Sequence, residues 1–187
     1  MKNYDVVVIG GGIGGYVSAI RLAQNGLQIA LIEKEYLGGE CLNYGCIPTK
    51  ALVYLSYLVE RMNRAKKYGV NVGGIDIDIK KFNEWRRTNI VARLRKGVEY
   101  LLTKNGVEII KGKAKLKSSH EVCLSDGTTI RGEKIVIATG SLPKTLPGVE
   151  FDGERIIDSR KAIYLEEIPD TMCIIGAGAI GIEKDKH

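Results

Sequence analysis

Histidine is nearly absent from this 187-residue chain, with only His120 and His187, and cysteine is sparse, with four residues at 41, 46, 123 and 173. The first shortage argues against a zinc centre. The close pair Cys41 and Cys46 would need two further ligands at sensible spacing, and these two histidines do not offer it. No metal site is expected. The second shortage argues against a secreted disulfide scaffold, in which cysteines are denser in a shorter chain. Long apolar runs are missing too: none approaches the roughly 20 residues that span a bilayer. Met1-Lys2-Asn3-Tyr4-Asp5 leads directly into a strand-length run without the pattern of a secretory signal. The expectation is a cytoplasmic protein with no membrane partner. Glutamine occurs twice, against many Lys, Arg, Glu and Ile, a bias of the thermophilic kind. Low-complexity segments are lacking, and 44% of the residues are hydrophobic, so an ordered core is expected.

The net charge is +6. Arg86, Arg87, Arg93, Arg95 and Lys96 carry part of it, and Lys111, Lys113, Lys115 and Lys117 another part. The second set alternates, which predicts one lysine-lined strand face. A solvated surface with lysines guarding a sheet edge accounts for this charge, and no nucleic-acid partner is expected.

Residues 4–9 (YDVVVI) form a β-branched run of the kind found in strands covered on both faces. A glycine loop follows, then a helical pattern to about Gln24 with Ile13, Val17, Ile20 and Leu22 or Ala23 inward. Asn25-Gly26 stops it. Leu27–Ile32 predicts a second strand ending at Glu33, which completes a βαβ unit. Residues 38–49 are a connection, and Pro48 suits the first turn of a helix running to about Lys67. Asp78 caps a long helix over roughly 79–104, with Phe82, Trp85, Leu94, Val98 and Leu101 as its stripe. Strands are predicted at 107–110, 113–117, 121–125, 128–131 and 134–138, with a hairpin turn at Asp126-Gly127. Pro143, Pro147 and Gly148 mark a linker. A short helix opens at Asp158-Ser159, and Met172–Ile175 reads as a last buried strand. Cys123 and Cys173 sit in apolar strand patterns and are expected to be buried. The fold class expected is α/β: a three-layer Rossmann-like domain over 1–143 with a small antiparallel β-meander. Residues 144–187 hold the linker and the start of a second nucleotide-binding unit.

Gly10-x-Gly12-x-x-Gly15 follows a strand, opens a helix and leads to a second strand ending in an acid, the context a dinucleotide fingerprint requires. Gly10 permits the turn, Gly12 lets backbone approach a pyrophosphate, and Gly15 lets helix and sheet pack closely. The helix N-terminus attracts the anion, and Glu33 can accept from ribose hydroxyls. A glycine turn with no ligand is the competing reading. The second constellation is Gly38-Gly39-Glu40-Cys41-Leu42-Asn43-Tyr44-Gly45-Cys46-Ile47-Pro48-Thr49-Lys50. Residues five apart on a regular helix rise by about 7.5 Å, and a disulfide usually wants its Cα atoms within about 7 Å. A bridge therefore needs an irregular turn, which Gly45 makes available. A position just before a helix N-terminus would favour a Cys46 thiolate. Two unpaired structural cysteines remain the alternative.

Together the string GGECLNYGCIPTK and the preceding fingerprint resemble the flavoprotein disulfide reductases over essentially the whole chain. Leu42, Ile47 and the Pro-Thr-Lys ending resemble the dihydrolipoamide dehydrogenase branch more than the glutathione or mercuric reductase branches. The resemblance implies FAD as cofactor, held by Gly10, Gly12, Gly14, Gly15, Glu33, Lys34, Gly39, Glu40 and Lys50. It further implies backbone contacts to the adenine side from Gly112 and Ala114, and close passage of Thr139 and Gly140. By the same resemblance Cys41 and Cys46 form the redox disulfide. Cys46 would face the flavin and Cys41 would exchange with a dithiol substrate, lipoamide or a lipoyl domain. Lys50 would lie near the flavin and pair with Glu183. His120 matches no catalytic position.

Gly176-x-Gly178-x-x-Gly181 is a second fingerprint, which the resemblance assigns to NAD. The helix, strand and ribose-binding acid that complete such a site do not follow it, and a vestigial strand and turn packed on the first domain is expected. The family's second FAD segment, its interface domain and its acid–base histidine are also absent from the 187 residues, and His187 has no glutamate after it. The expectation is an electron-accepting half-site with little turnover of its own. The alternative is a non-catalytic FAD-binding or dithiol module acting with a partner chain; a homodimer, or a partner chain that supplies the missing domains, is the expected association.

Overall fold

The computed structural model describes residues 2–185. By compactness the chain divides into two units, 1–43 with 92–142, and 44–91 with 143–187.

The first unit begins with β1 (Lys2–Ile9), α1 (Ile13–Gln24), β2 (Ile29–Glu33) and α2 (Gly39–Asn43), and resumes with α5 (Ala92–Lys104). Then come β3 (Glu108–Lys111), β4 (Ala114–Leu116), β5 (Glu121–Leu124) and β6 (Thr129–Ile137). The six strands are ordered β3-β2-β1-β6-β5-β4. The first four are parallel, and β6-β5-β4 is antiparallel. β3 and β4 lie at opposite ends of this order, yet only Gly112 and Lys113 separate them in the chain. Three peptide steps reach about 10 Å, the spacing of stacked sheets. The sheet therefore curls, and the antiparallel half folds back over the parallel half. Val7, Ile9, Ala30 and Ile32 pack there with Val122, Leu124 and Ile130. Alternation turns Val6, Val8 and Leu31 to the other face, where α1 and α5 pack. The layers are helices, parallel sheet and meander.

Several sequence expectations change here. Ile13 and Val17 of α1 are exposed, and the buried positions are Gly15 and Ala19. Small residues, not branched ones, face the sheet, because the glycine loop brings the helix in close. The predicted strands 128–131 and 134–138 are one strand, since β1 supplies partners on both sides of the supposed break: Tyr4 pairs with Gly132 and Val6 with Lys134. In the second half of β6 Ile135 and Val136 are half-buried and Glu133, Lys134 and Ile137 exposed, rather than buried, because β5 pairs only with its start. Lys111 to Lys117 do not line one strand face, for the chain turns between β3 and β4. Cys123 is half-buried.

The second unit holds α3 (Cys46–Arg64), a 3-10 turn over 65–68, α4 (Ile79–Trp85), a π turn over 86–91, α6 (Ser159–Ile163) and α7 (Ala179–Asp185). Gly69, with φ +82°, ends the first of these helical runs. Asp78 caps α4 by accepting from the Lys81 N–H at 2.9 Å, and Asp158 caps α6 through the Lys161 N–H at 2.8 Å. The predicted helix over 79–104 is thus broken by the π turn. Its buried positions are Asn83, Arg86, Val91, Val98 and Leu102, whereas Trp85, Leu94 and Leu101 are exposed. The five-residue step from Arg86 to Val91 is what a π turn accommodates and a regular α-helix does not. Residues 172–175 form no strand: no strand pairs with them among the described residues. Met172 and Ile174 instead line a cavity of about 270 Å³ with Thr49, Leu52, Ile163 and Leu165. Cys173 is exposed, contrary to its apolar surroundings in sequence. His187 lies outside the described residues.

Candidate functional site

The glycine loop of the first unit is built by close approach. Gly10 leaves β1 with φ +106°, and its N–H donates to the Ile32 carbonyl at 2.8 Å. A Cβ on Gly15 would lie 1.7 Å from the Gly10 carbonyl oxygen, so no larger residue fits. The N-cap of α1 is Gly12, with no side-chain cap and no acid in the first turn. The N–H groups at that end are left to an external anion. Gly39 faces Gly12 so closely that a Cβ on it would come within 2.5 Å of the Gly12 Cα. By contrast a Cβ on Gly12 would meet nothing nearer than 3.6 Å. Apart from that ordinary contact with Gly39, no protein atom lies within 4 Å of the position a Gly12 side chain would take.

Glu33 closes the cradle. Its Oε2 accepts from the Gly11 N–H at 2.6 Å and its Oε1 from the Glu35 N–H at 2.8 Å. The Gly112 N–H donates to the Glu33 carbonyl at 2.9 Å, which brings the end of β3 to the same place. Ala138 pairs with Ile9 through its N–H, so Thr139 and Gly140 emerge next to Gly10 and are exposed. Gly14 lies in the first turn of α1, and Ala114, half-buried, opens β4 opposite Leu124. Lys34 and Glu40 are exposed, one after Glu33 and the other in the first turn of α2.

Sequence reading missed the residue that fixes α2. Asn43 is buried, and its amide donates to the carbonyls of Leu37 at 3.0 Å and Gly39 at 2.8 Å. Its Oδ1 accepts from Arg95 Nη2 at 2.7 Å, while that guanidinium lies 3.8 Å over the Tyr36 ring. An asparagine between the two cysteines was the only signal, and its partner is 52 residues away.

Cys41 and Cys46 are disulfide-bonded. The irregular turn expected between them is Tyr44-Gly45, and the expected connection is itself partly helical, as α2. Cys46 is the first residue of α3, not the residue before it. Gly45 is the N-cap, and its carbonyl accepts from the Thr49 N–H at 3.0 Å. Pro48, in the first turn, loses no helical hydrogen bond. One turn on, Lys50 Nζ forms an ion pair with Glu183 Oε1. Glu183 lies on α7, whose loop repeats the geometry of the first. Gly176 has φ +113°, and a Cβ on Gly181 would lie 2.0 Å from the Gly176 carbonyl oxygen. Gly178 accepts from the Ile182 N–H at 3.0 Å.

Arg86 was also missed as more than surface charge. It is fully buried, and its Nη1 donates to the Pro48 carbonyl at 2.7 Å. Its Nη2 donates to Asn83 Oδ1 and to the Ile163 carbonyl. Burial lowers its pKa to about 10, against the opposing influence of Tyr164 and with a smaller push from Arg87. Among the described residues no group of three or more His, Cys, Asp or Glu gathers as a metal ion would require, and no helix is long and apolar enough to cross a membrane. His120 Nδ1 lies 3.1 Å from the Glu133 carbonyl oxygen, at the base of the β5–β6 hairpin.

A sequence profile described as pyridine nucleotide-disulphide oxidoreductase matches residues 4–184. The dihydrolipoyl dehydrogenase of Chlorobaculum tepidum is 42% identical over 185 residues, covering 97% of this chain and 39% of that protein. The leghemoglobin reductase of Vigna unguiculata is 44% identical over 185 residues, covering 96% and 35%. The crystal structure of LpdA from Mycobacterium tuberculosis superposes with a TM-score of 0.78 at 26% identity, over 91% of this chain and 38% of that one. The chain thus spans about two fifths of the length of the curated relatives it matches.

Proposed function

The chain belongs to the pyridine nucleotide-disulphide oxidoreductase family, and from that membership we propose that it carries the FAD site and the redox disulfide of a dihydrolipoyl dehydrogenase-type enzyme. One observation carries the reading: a Cys41–Cys46 disulfide follows closely in the chain on a glycine loop whose helix N-terminus has no side-chain cap.

In this reading Gly10, Gly12, Gly14, Gly15 and Gly39 receive the pyrophosphate. Glu33 takes the ribose hydroxyls with Lys34 beside it, and Glu40 borders the cradle. Gly112 and Ala114 offer backbone to the adenine side, and Thr139 and Gly140 run along the cofactor. Bound FAD supplies two-electron transfer between a nicotinamide and the disulfide. Cys46, at the N-terminus of α3, is held where the helix field favours its thiolate. A substrate thiolate attacks Cys41 sulfur, the Cys41–Cys46 bond breaks, and Cys46 leaves as thiolate. The second substrate thiol then closes the substrate disulfide and frees Cys41, so two electrons pass to the cysteine pair. Lys50, with its charge balanced by Glu183, belongs to the same helix. The dithiol partner is lipoamide or a lipoyl domain, and the protein works as a homodimer or with a partner chain. Gly176, Gly178 and Gly181 form the phosphate turn of a nicotinamide site that the 187 residues do not complete. We place the protein in the cytoplasm of a thermophilic source.

A second reading is a module that binds FAD or carries the dithiol without turnover. Lipoamide-dependent NADH oxidation with added FAD tests the half-site reading. The expected outcome for the 187-residue chain is dithiol exchange at Cys41–Cys46 without steady turnover. Steady turnover by the chain alone contradicts the half-site, and absence of exchange contradicts the role of the disulfide.

A further inference from the structure

Arg86 is a cation buried without a counter-charge. Its hydrogen-bond acceptors are two backbone carbonyls and one amide oxygen, and among the described residues it forms no ion pair. Its Nε is buried with no hydrogen-bond partner. The guanidinium lies 4.6 Å over the Tyr164 ring and 5.4 Å over Phe82, so its faces are covered by aromatic carbon. Burying a charge in this way is costly, and the π turn exists where it is accommodated. The contact that gives the arrangement a use is with Pro48, in the first turn of α3, two residues after Cys46. Two residues advance about 3 Å along a helix axis, which puts the guanidinium on the order of 9 Å from the Cys46 backbone.

We propose that Arg86 is a positioning residue for the redox cysteines: pinned to the Pro48 carbonyl, its un-neutralised charge adds to the positive field at the start of α3 and favours the reduced, thiolate-bearing form of Cys46. The inference rests on the reading of Cys41–Cys46 as a redox pair. Arg87 stacks on the same Tyr164 ring at 4.5 Å. On α3 itself Lys50 is balanced by Glu183. Arg160 lies 4.6 Å over the Tyr44 ring of the disulfide loop. Although burial lowers its pKa to about 10, Arg86 stays protonated at neutral pH.

The test is a thiol–disulfide equilibrium on the 187-residue chain, which needs no flavin. Dithiothreitol loses two electrons and two protons to become its cyclic disulfide. The Cys41–Cys46 bond breaks, Cys41 takes one proton to become a thiol, Cys46 is left as the thiolate, and the second proton passes to the buffer; the reduced cysteines are counted by alkylation and mass. Arg86→Met should lower the equilibrium constant for reduction about tenfold, and Arg86→Lys should stay within about twofold of wild type, for a unit charge near 9 Å at an effective dielectric constant of about 20. An unchanged constant in Arg86→Met overturns the proposal, because a purely structural role would alter melting but not this equilibrium. Should that variant fail to fold, Arg86→Gln, which removes the charge but keeps hydrogen-bond donors, decides instead: a constant lowered about tenfold supports the proposal, and the wild-type constant overturns it. A disulfide that never exchanges with dithiothreitol defeats the redox reading itself, whereas normal exchange indifferent to Arg86 defeats only this inference.

Discussion

Gly12 and Gly15 lie three positions apart in one fingerprint, and the structure gives them different jobs. Gly15 is forbidden a side chain by the protein's own backbone, while a Cβ on Gly12 would meet only the Gly39 Cα, at an ordinary contact of 3.6 Å. Spacing alone made both legible as glycines with a purpose. Arg86 and Asn43 were not legible, because a buried polar group is defined by partners far along the chain. A smaller cluster makes a residue-scale prediction. Glu108 accepts from Lys2 Nζ at 2.7 Å and from the Tyr4 hydroxyl at 2.9 Å. The Lys2 and Tyr4 hydrogen bonds hold its carboxyl below the usual range. Its stabilising contribution is therefore present above that range and is lost as pH falls through the depressed value. Burial, then the Glu108 hydrogen bond, raises the Tyr4 hydroxyl from 10.0 to about 12. Folded protein holds that proton more tightly than unfolded chain between these values, so stability falls as pH rises across them. Ultraviolet titration of the nine tyrosines should show one ionising near pH 12, moved down by Glu108→Gln. Nine tyrosines titrating together would contradict this.

At the scale of elements, caps and turns were read correctly where the chemistry is local. Asp78 and Asp158 were recognised as helix starts and do cap α4 and α6. Asp78→Ala should cost about 1 kcal/mol in urea unfolding, the usual worth of such a cap; a loss indistinguishable from zero would mean that the Lys81 N–H is equally well satisfied by water. Elements were misread where partners decide. The segment 172–175 has the composition of a strand but no neighbouring strand, so its apolar side chains line a cavity instead. The break read at Gly132 vanished because β1 continues alongside it. The π turn could not be read from periodicity, since the stripe assumes one residue spacing throughout.

At the scale of the molecule, the βαβ order and the meander were legible because hydrophobic period and turn residues change together along the chain. The curling of the sheet follows from order plus the two-residue link between β3 and β4, which sequence does not reveal without knowing which strands pair. The central claim is that the first unit is built to hold FAD at the Gly12 cradle. Titration of the 187-residue chain with FAD, followed by flavin fluorescence, tests it, with Gly12→Ala and Gly15→Ala measured beside wild type. The account predicts saturable binding by wild type and binding weaker by roughly tenfold, about 1.4 kcal/mol, in Gly12→Ala at unchanged melting temperature. Gly15→Ala should instead lose about 3 kcal/mol or more of stability. Failure of the wild-type chain to bind FAD, or equal binding by Gly12→Ala, would contradict it.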